Sequence, residues 1–302
     1  MFLEVKNLFD ILLKIEFKTN LFIMLLNRFT LHRPKKIEET IQLMSSCKNF
    51  KIQAGGSFLI NSLKLMKRKG SHTPENIISL NHVEELRGVD FDGETLTIKA
   101  MTRIDDLYES NQLKGNLKIL KQVCKNISTQ PIRNMATIGG NLTCRYTWTE
   151  MPAVMIALDA TLHFSTLTGD KETLAAEDFF KQAAKTSHLL THITIPYTPD
   201  ARISYQRVRK TQGVDIPLLS LMIRVIPTEN SFSDVRIGIN SCVNFSCRDT
   251  QLEEFLSSAE ISNKLPEEAL NHMDNEIYDK RGTDYKRHMF NVSVKNAIKE
   301  IL

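Results

Sequence analysis

Thr137-Ile138-Gly139-Gly140-Asn141 is one of two glycine-doublet stretches that govern the reading of this chain; the other, far upstream, is Ala54-Gly55-Gly56-Ser57. Each closes an apolar or strand-like run. Glycine reaches positive φ cheaply and carries no side chain, so successive backbone N–H groups can turn inward and approach an anion closely. Ser57 and Asn141 add side-chain donors. One doublet alone marks a tight turn, but two with donor-bearing flanks predict a divided site for a diphosphate. A single-loop dinucleotide site needs Gly-x-Gly-x-x-Gly between a strand and a helix, and the chain contains no such run. Two half-sites from separate elements must therefore converge.

The chain has 302 residues, enough for two domains or one large domain with an appended module. Its 42% hydrophobic and 25% charged residues are those of a globular protein with an ordinary core. The net charge of +4 is spread out. Lys67-Arg68-Lys69 and Arg207-Val208-Arg209-Lys210 are the densest basic patches and read as solvated faces, not as a nucleic-acid footprint. Five cysteines without Cys-x-x-Cys indicate no disulfide framework, zinc site or iron–sulfur ligand set, and the cytoplasm is the expected compartment. Cys242 and Cys247 read as small buried or half-buried residues. His188 and His192 lie four apart on a predicted strand with no third ligand near in sequence, so no metal is expected there.

Residues 1–29 are rich in Leu, Ile and Phe, but Glu4, Lys6, Asp10, Lys14, Glu16 and Lys18 interrupt them too often for a membrane span. An acidic residue near the start and the missing small-residue cleavage site disfavour a signal peptide. Met24 opens Leu25-Leu26-Asn27-Arg28-Phe29, which reads as a first strand. The expectation is a native start at Met24, with residues 1–23 an extension.

After Pro34, Ile37, Ile41 and Met44 recur at helical spacing, and Phe50–Gln53 gives a strand before the first glycine loop. Asn76–Leu80 reads as a strand, and Leu96, Ile98 and Ala100 alternate in a hairpin bounded by Asp92-Gly93. Leu117, Leu120, Val123 and Ile127 share one helical face that should end before Pro131. Beyond the second glycine loop, Pro152–Leu158 reads as a helix, and Ala160–Phe164 and Leu190–Ile195 as strands. Tyr197-Thr198-Pro199-Asp200 is the best domain boundary. Strands are then expected over Ile203–Val208, Leu218–Ile226 and Val235–Val243, and helices around Leu252–Leu256 and Val294–Ile301. The result is an α+β chain.

The two loops with their surroundings resemble the flavoprotein (medium) subunit of the molybdenum hydroxylases, the group that includes carbon monoxide dehydrogenase and xanthine dehydrogenase. Phe29-Thr-Leu-His-Arg33-Pro34 resembles the Phe-x-x-x-x-Pro start of that family, and Ala54-Gly55-Gly56-Ser57-Phe58-Leu59 its Ala-Gly-Gly-Thr-Asp-Leu loop. Ile132–Leu142 matches its most specific signature nearly letter for letter. Ala157-Leu158-Asp159-Ala160 and Asp279–Arg287 resemble later motifs.

The resemblance implies a two-subdomain FAD-binding fold of the p-cresol methylhydroxylase type over residues 24–198, followed by a smaller α+β domain over 199–302. It implies FAD, held by Lys51, Ile52 and Gln53 on the adenosine side, by Ala54, Gly55, Gly56, Ser57 and Phe58, by Thr137, Ile138, Gly139, Gly140 and Asn141, and by Glu150, Leu190 and Arg207. No catalytic side chain is expected, because a flavin supplies its own redox chemistry. The implied partners are a molybdopterin-binding large subunit and a small subunit with two [2Fe–2S] clusters, in a dimer of heterotrimers. Electrons would pass through FAD to NAD+ or another acceptor. The resemblance leaves two alternatives, a flavin-free scaffold subunit and a stand-alone flavin reductase.

The chain departs from the family at four places. Phe58 stands where Asp is usual, and Glu150 where Asp precedes Pro-Ala. Arg207 replaces a lysine near the flavin, keeping a charge suited to a reduced anionic flavin on a planar fork of different reach. Cys144–Trp148 replaces a small, Pro-containing stretch, which leaves Trp148 as a flavin-edge, interface or core residue. Arg133 reads as an anchor of the second loop, and Asp215 with Arg281 as a candidate pair across the domain interface.

Overall fold

A computed structural model describes residues 26–182, 188–241, 245–280 and 282–302. Residues 1–25, with Met24 and the proposed extension, lie outside them, as do Cys242 and Arg281. The architecture is α+β, with three sheets in sequence.

The first sheet is parallel. β1 (Thr30–His32), α1 (Ile37–Ser46), β2 (Phe50–Gln53), α2 (Leu59–Arg68) and β3 (Asn76–Ser79) give the order β1-β3-β2. Parallel neighbours need crossovers, which the two helices supply. The helical spacing of Ile37, Ile41 and Met44 is borne out, and Ile41 and Met44 are buried on α1. The strand expected at Leu25–Phe29 instead begins at Thr30. Pairing with β3 fixes it there, Thr30 opposite Asn76, and His32 Nε2 lies 2.9 Å from Asn76 Oδ1. Phe29 and Leu31 stay exposed, so their apolar side chains mark no core face.

The second sheet is antiparallel, ordered β4-β5-β8-β6-β7. Its elements in chain order are β4 (Val89–Phe91), β5 (Thr95–Lys99), α3 (Ile104–Glu109), α4 (Ile119–Asn126), α5 (Gln130–Arg133), α6 (Ile138–Thr143), α7 (Met151–Ala157), β6 (Thr161–Thr166), β7 (Lys171–Ala175), α8 (Ala176–Lys181) and β8 (His188–Pro196). Leu96, Ile98, Leu162, Ile193 and Ile195 alternate inward on their strands and meet Leu120 and Val123 of α4, whose apolar face was legible from its spacing.

The third sheet, β12-β11-β10-β9, holds β9 (Arg202–Val208), β10 (Leu219–Pro227), β11 (Phe232–Asn240) and β12 (Cys247–Arg248). It is followed by α9 (Thr250–Ser258), α10 (Leu265–Glu268), α11 (Asn275–Asp279) and α12 (Asp284–Ile301). β10 is covered on both sides. Leu219, Leu221, Ile223 and Val225 share a core with Leu252 of α9 and Val294 and Ile298 of α12, while Met222 joins the core of the second sheet. All seven residues of α7 are buried. This helix lies directly on β11, where a Cβ at Gly238 would stand 1.9 Å from the Ala153 carbonyl oxygen. Arg224 adds polar links, donating from Nε to the Ala157 carbonyl at 3.0 Å and from Nη2 to Asp234 at 2.8 Å.

Candidate functional site

The first glycine loop leaves β2 at Ala54 and enters α2 after Phe58. Gly56 has φ of +74°, and the amide of Gln53 fills the space a Cβ there would need. Among the described residues, the backbone N–H groups of Gly55, Gly56, Ser57 and Phe58 donate to nothing. Four adjacent donors without protein partners are what a backbone anion site requires.

The second stretch is not a loop but a cap and a helix. Thr137 is the N-cap of α6, and its Oγ1 accepts from Gly140 N–H at 3.1 Å. Thr is favoured at this position because its oxygen satisfies a donor that the first helical turn leaves open. The Ile138 N–H donates to the Thr102 carbonyl and the Gly139 N–H to the Ala100 carbonyl, at 3.0 and 2.8 Å. The backbone donors of Gly139 and Gly140 are therefore already engaged, contrary to the expectation that they turn toward a ligand. Their glycine identity has another cause. A Cβ at Gly139 would stand 2.7 Å from the Ala100 carbonyl oxygen, and one at Gly140 a tight 3.1 Å from Thr137 Oγ1, with Ala54 Cβ in ordinary contact at 3.4 Å.

The two stretches converge. A Cβ at Gly55 would overlap the Met135 carbonyl oxygen at 1.8 Å, so only glycine lets the first loop lie against the segment entering α6. The sequence predicted this meeting. Asn141, one turn into α6, holds its Oδ1 buried without a hydrogen-bond partner. An acceptor so placed suits a hydroxyl donor, and a polyol chain beside a diphosphate provides one.

Arg133 anchors the approach as expected, with Nε 3.0 Å from Asp105 Oδ1 and Nη1 toward the carbonyls of Ile127 and Ser128. Ile52 and Gln53 are half-buried on β2 beside the first loop, while Lys51 is exposed. Leu190 is buried on β8 in the same core as Ile138 and Leu142 of α6.

Glu150 and Arg207 satisfy each other. Arg207 Nε donates to Glu150 Oε1 at 2.7 Å, and its Nη2 lies 2.9 Å from Asp215 Oδ1. Tyr205 Oη donates to the other Glu150 oxygen at 2.7 Å. Arg207 is matched by two carboxylates, so it brings no uncompensated charge to a reduced flavin, and among the described residues Asp215 pairs with Arg207. Burial, and then the adjacent Glu150 carboxylate, push the Tyr205 phenol well above its usual range, so it stays a donor. Burial alone would raise Asp215, but the Lys210 N–H and the Arg207 guanidinium hold it below its ordinary value. Nothing in the sequence pointed to Tyr205 as the third member.

Phe58, Tyr146 and Trp148 form one cluster. Tyr146 and Trp148 stack with centroids 4.3 Å apart, and Phe58 presents its ring at 4.7 Å to Tyr146. His188 and His192 go separate ways, the first to Glu172 at 2.7 Å, the second stacked on His163 at 4.1 Å. Burial pushes the Cys247 thiol up to about 12, in keeping with a half-buried, inert cysteine.

Residues 27–198 match the family model for the FAD binding domain in molybdopterin dehydrogenase, more than half of the chain. The chain belongs to this family. The FAD-binding chain is 26% identical to the glyceraldehyde dehydrogenase medium chain of Sulfolobus acidocaldarius, over 90% of its own length and 98% of the relative's. It is 29% identical to the carbon monoxide dehydrogenase medium chain of Hydrogenophaga pseudoflava, over 71% and 75%. In fold, it superimposes on the structure of carbon monoxide dehydrogenase from the same organism with a TM-score of 0.81, at 24% identity, covering 92% and 98% of the two chains. The cofactor is FAD, and the chain is a subunit of an FAD-dependent oxidoreductase.

The residues at the junction fit that cofactor. Unengaged N–H groups suit its diphosphate and the orphaned Asn141 acceptor suits a hydroxyl. No helix among the described residues is long and apolar enough to cross a membrane.

Proposed function

We propose that this chain is the electron-transferring flavoprotein subunit of a molybdenum-dependent hydroxylase or dehydrogenase. It takes electrons from [2Fe–2S] clusters on a small subunit and delivers them to NAD+ or another acceptor, while a molybdopterin-binding large subunit oxidises the substrate. The convergence of the free first-loop donors with Asn141 carries the reading. The relatives named as medium chains or subunits of glyceraldehyde dehydrogenase, carbon monoxide dehydrogenase and nicotine 6-hydroxylase support the subunit role.

FAD, when bound, accepts and releases the electrons. The protein's own part is binding and electrostatics. Gly55, Gly56 and Ser57 direct N–H groups at the diphosphate, with Lys51, Ile52 and Gln53 on the adenosine side. Thr137, Ile138, Gly139 and Gly140 shape the second wall, and Asn141 offers its amide. Glu150, Leu190 and Arg207 stand beyond them, with the Glu150–Arg207 pair holding the two parts of the chain together.

The test is reconstitution. Purified chain incubated with FAD and desalted should retain a flavin absorption band and co-purify with the two partner subunits. Colourless protein would sink the reading in favour of a flavin-free scaffold. Flavin-loaded chain that turned over NADH with a small substrate unaided would point to a stand-alone reductase.

A further inference from the structure

Two of the places where this chain departs from its family meet in space. Phe58 follows the free N–H groups of the first loop, and Tyr146 and Trp148 follow α6. Phe58 approaches both rings edge-on, with centroids 4.7 and 6.4 Å away and interplanar angles of 65° and 61°. Tyr146 and Trp148 are stacked, 19° from parallel. The three rings thus bridge the two halves of the divided site.

The segment carrying them is held at three of its residues, Arg145, Thr147 and Thr149. Arg145, with φ of +53°, donates to the carbonyls of Phe179, Phe180 and Gln182. Ser241 Oγ donates to the Thr147 carbonyl at 3.2 Å, and Asn240 Nδ2 to the Thr149 carbonyl at 2.8 Å. Yet the rings are not core. Phe58 is 43% exposed and the other two are half-buried. A rigidly mounted, partly open aromatic group beside an anion site is what a planar ligand ring requires, because little side-chain entropy remains to be lost on binding.

We propose that Phe58, Tyr146 and Trp148 form an aromatic wall that holds the flavin ring system of FAD by contact. The inference rests on the FAD-binding reading above. The flavin ring is preferred over adenine for two reasons. Trp148 is two residues from Glu150, whose partners Tyr205 and Arg207 belong to the third sheet, whereas β2 and its Lys51–Gln53 lie at the opposite end of the first loop. The flavin ring is also electron-poor, the natural partner for electron-rich Tyr and Trp.

The experiment uses full-length chain loaded with FAD and reads the emission of the bound flavin under its own excitation. A Tyr or Trp ring in contact donates an electron to the excited flavin and takes it back without light, so wild-type emission should be strongly quenched. Y146F/W148F keeps an aromatic ring at both positions but removes the electron donors. It should brighten the flavin several-fold, measured per mole of FAD that remains bound. F58A, at an exposed position, should weaken FAD binding roughly 3- to 10-fold. Equal emission from bound FAD in wild type and Y146F/W148F would overturn the wall and leave FAD binding standing. Failure of the wild type to take up FAD would overturn both.

Discussion

At the residue scale, the decisive glycine is Gly55. Its missing side chain admits the Met135 carbonyl oxygen to 1.8 Å of where a Cβ would stand, with backbone on both sides and nothing free to yield. In G55A the loops must separate, and we expect FAD affinity to fall by at least about 30-fold, roughly 2 kcal/mol, in an equilibrium titration. Asn141 gives a milder case. N141A removes a buried acceptor together with the ligand contact proposed for it, and FAD binding should weaken about 5- to 10-fold, close to one neutral hydrogen bond. Asp215 yields a pH dependence. Its folded pKa lies below the ordinary value, so its stabilisation is present above about pH 4 and is lost as pH falls through the folded pKa. Urea unfolding should therefore show D215N weaker than wild type by about 1–2 kcal/mol at pH 7, with the gap closing in acid.

At the scale of elements, α7 joins the second and third sheets. Gly238 on β11 leaves room for the Ala153 carbonyl, and G238A would force the helix off the sheet at a cost of about 3 kcal/mol, readable as a lower urea midpoint. Neither Gly238 nor the short α6 was legible from sequence, and for related reasons. Gly238 sits in an alternating strand pattern with no turn chemistry beside it, and its cause is a helix many residues away. Gly139-Gly140 carries turn-like residues, but Thr137 caps a helix whose first two residues donate to the carbonyls of Thr102 and Ala100. Tertiary contacts overrode local preference there. Where local spacing and burial agreed, as in α1, α4, β2 and β3, the sequence sufficed. The convergence of the loops was readable because both carry the same unusual chemistry. The pairing of Glu150 with Arg207 was not, because each was matched separately to a family position and nothing in the chain order links them.

At the scale of the whole molecule, the three sheets are not independent. Met222 and Tyr205 of the third sheet sit in the core of the second, α7 lies on β11, and Gly55 of the first part rests on Met135 of the second. A ligand bound where the glycine stretches meet therefore stabilises the contact of the first part with the second, which α7 in turn joins to the third. Free FAD at about 100 times its Kd adds roughly 2.7 kcal/mol to unfolding. For a chain this size that raises Tm by about 5 °C. Thermal melts of wild type should show one transition that moves as a whole with FAD, and the G55A melt should move much less at the same FAD concentration. An early transition insensitive to FAD would mean instead that the third sheet and its helices unfold alone, and that the buried α7 contact with β11 does not couple them to the cofactor site.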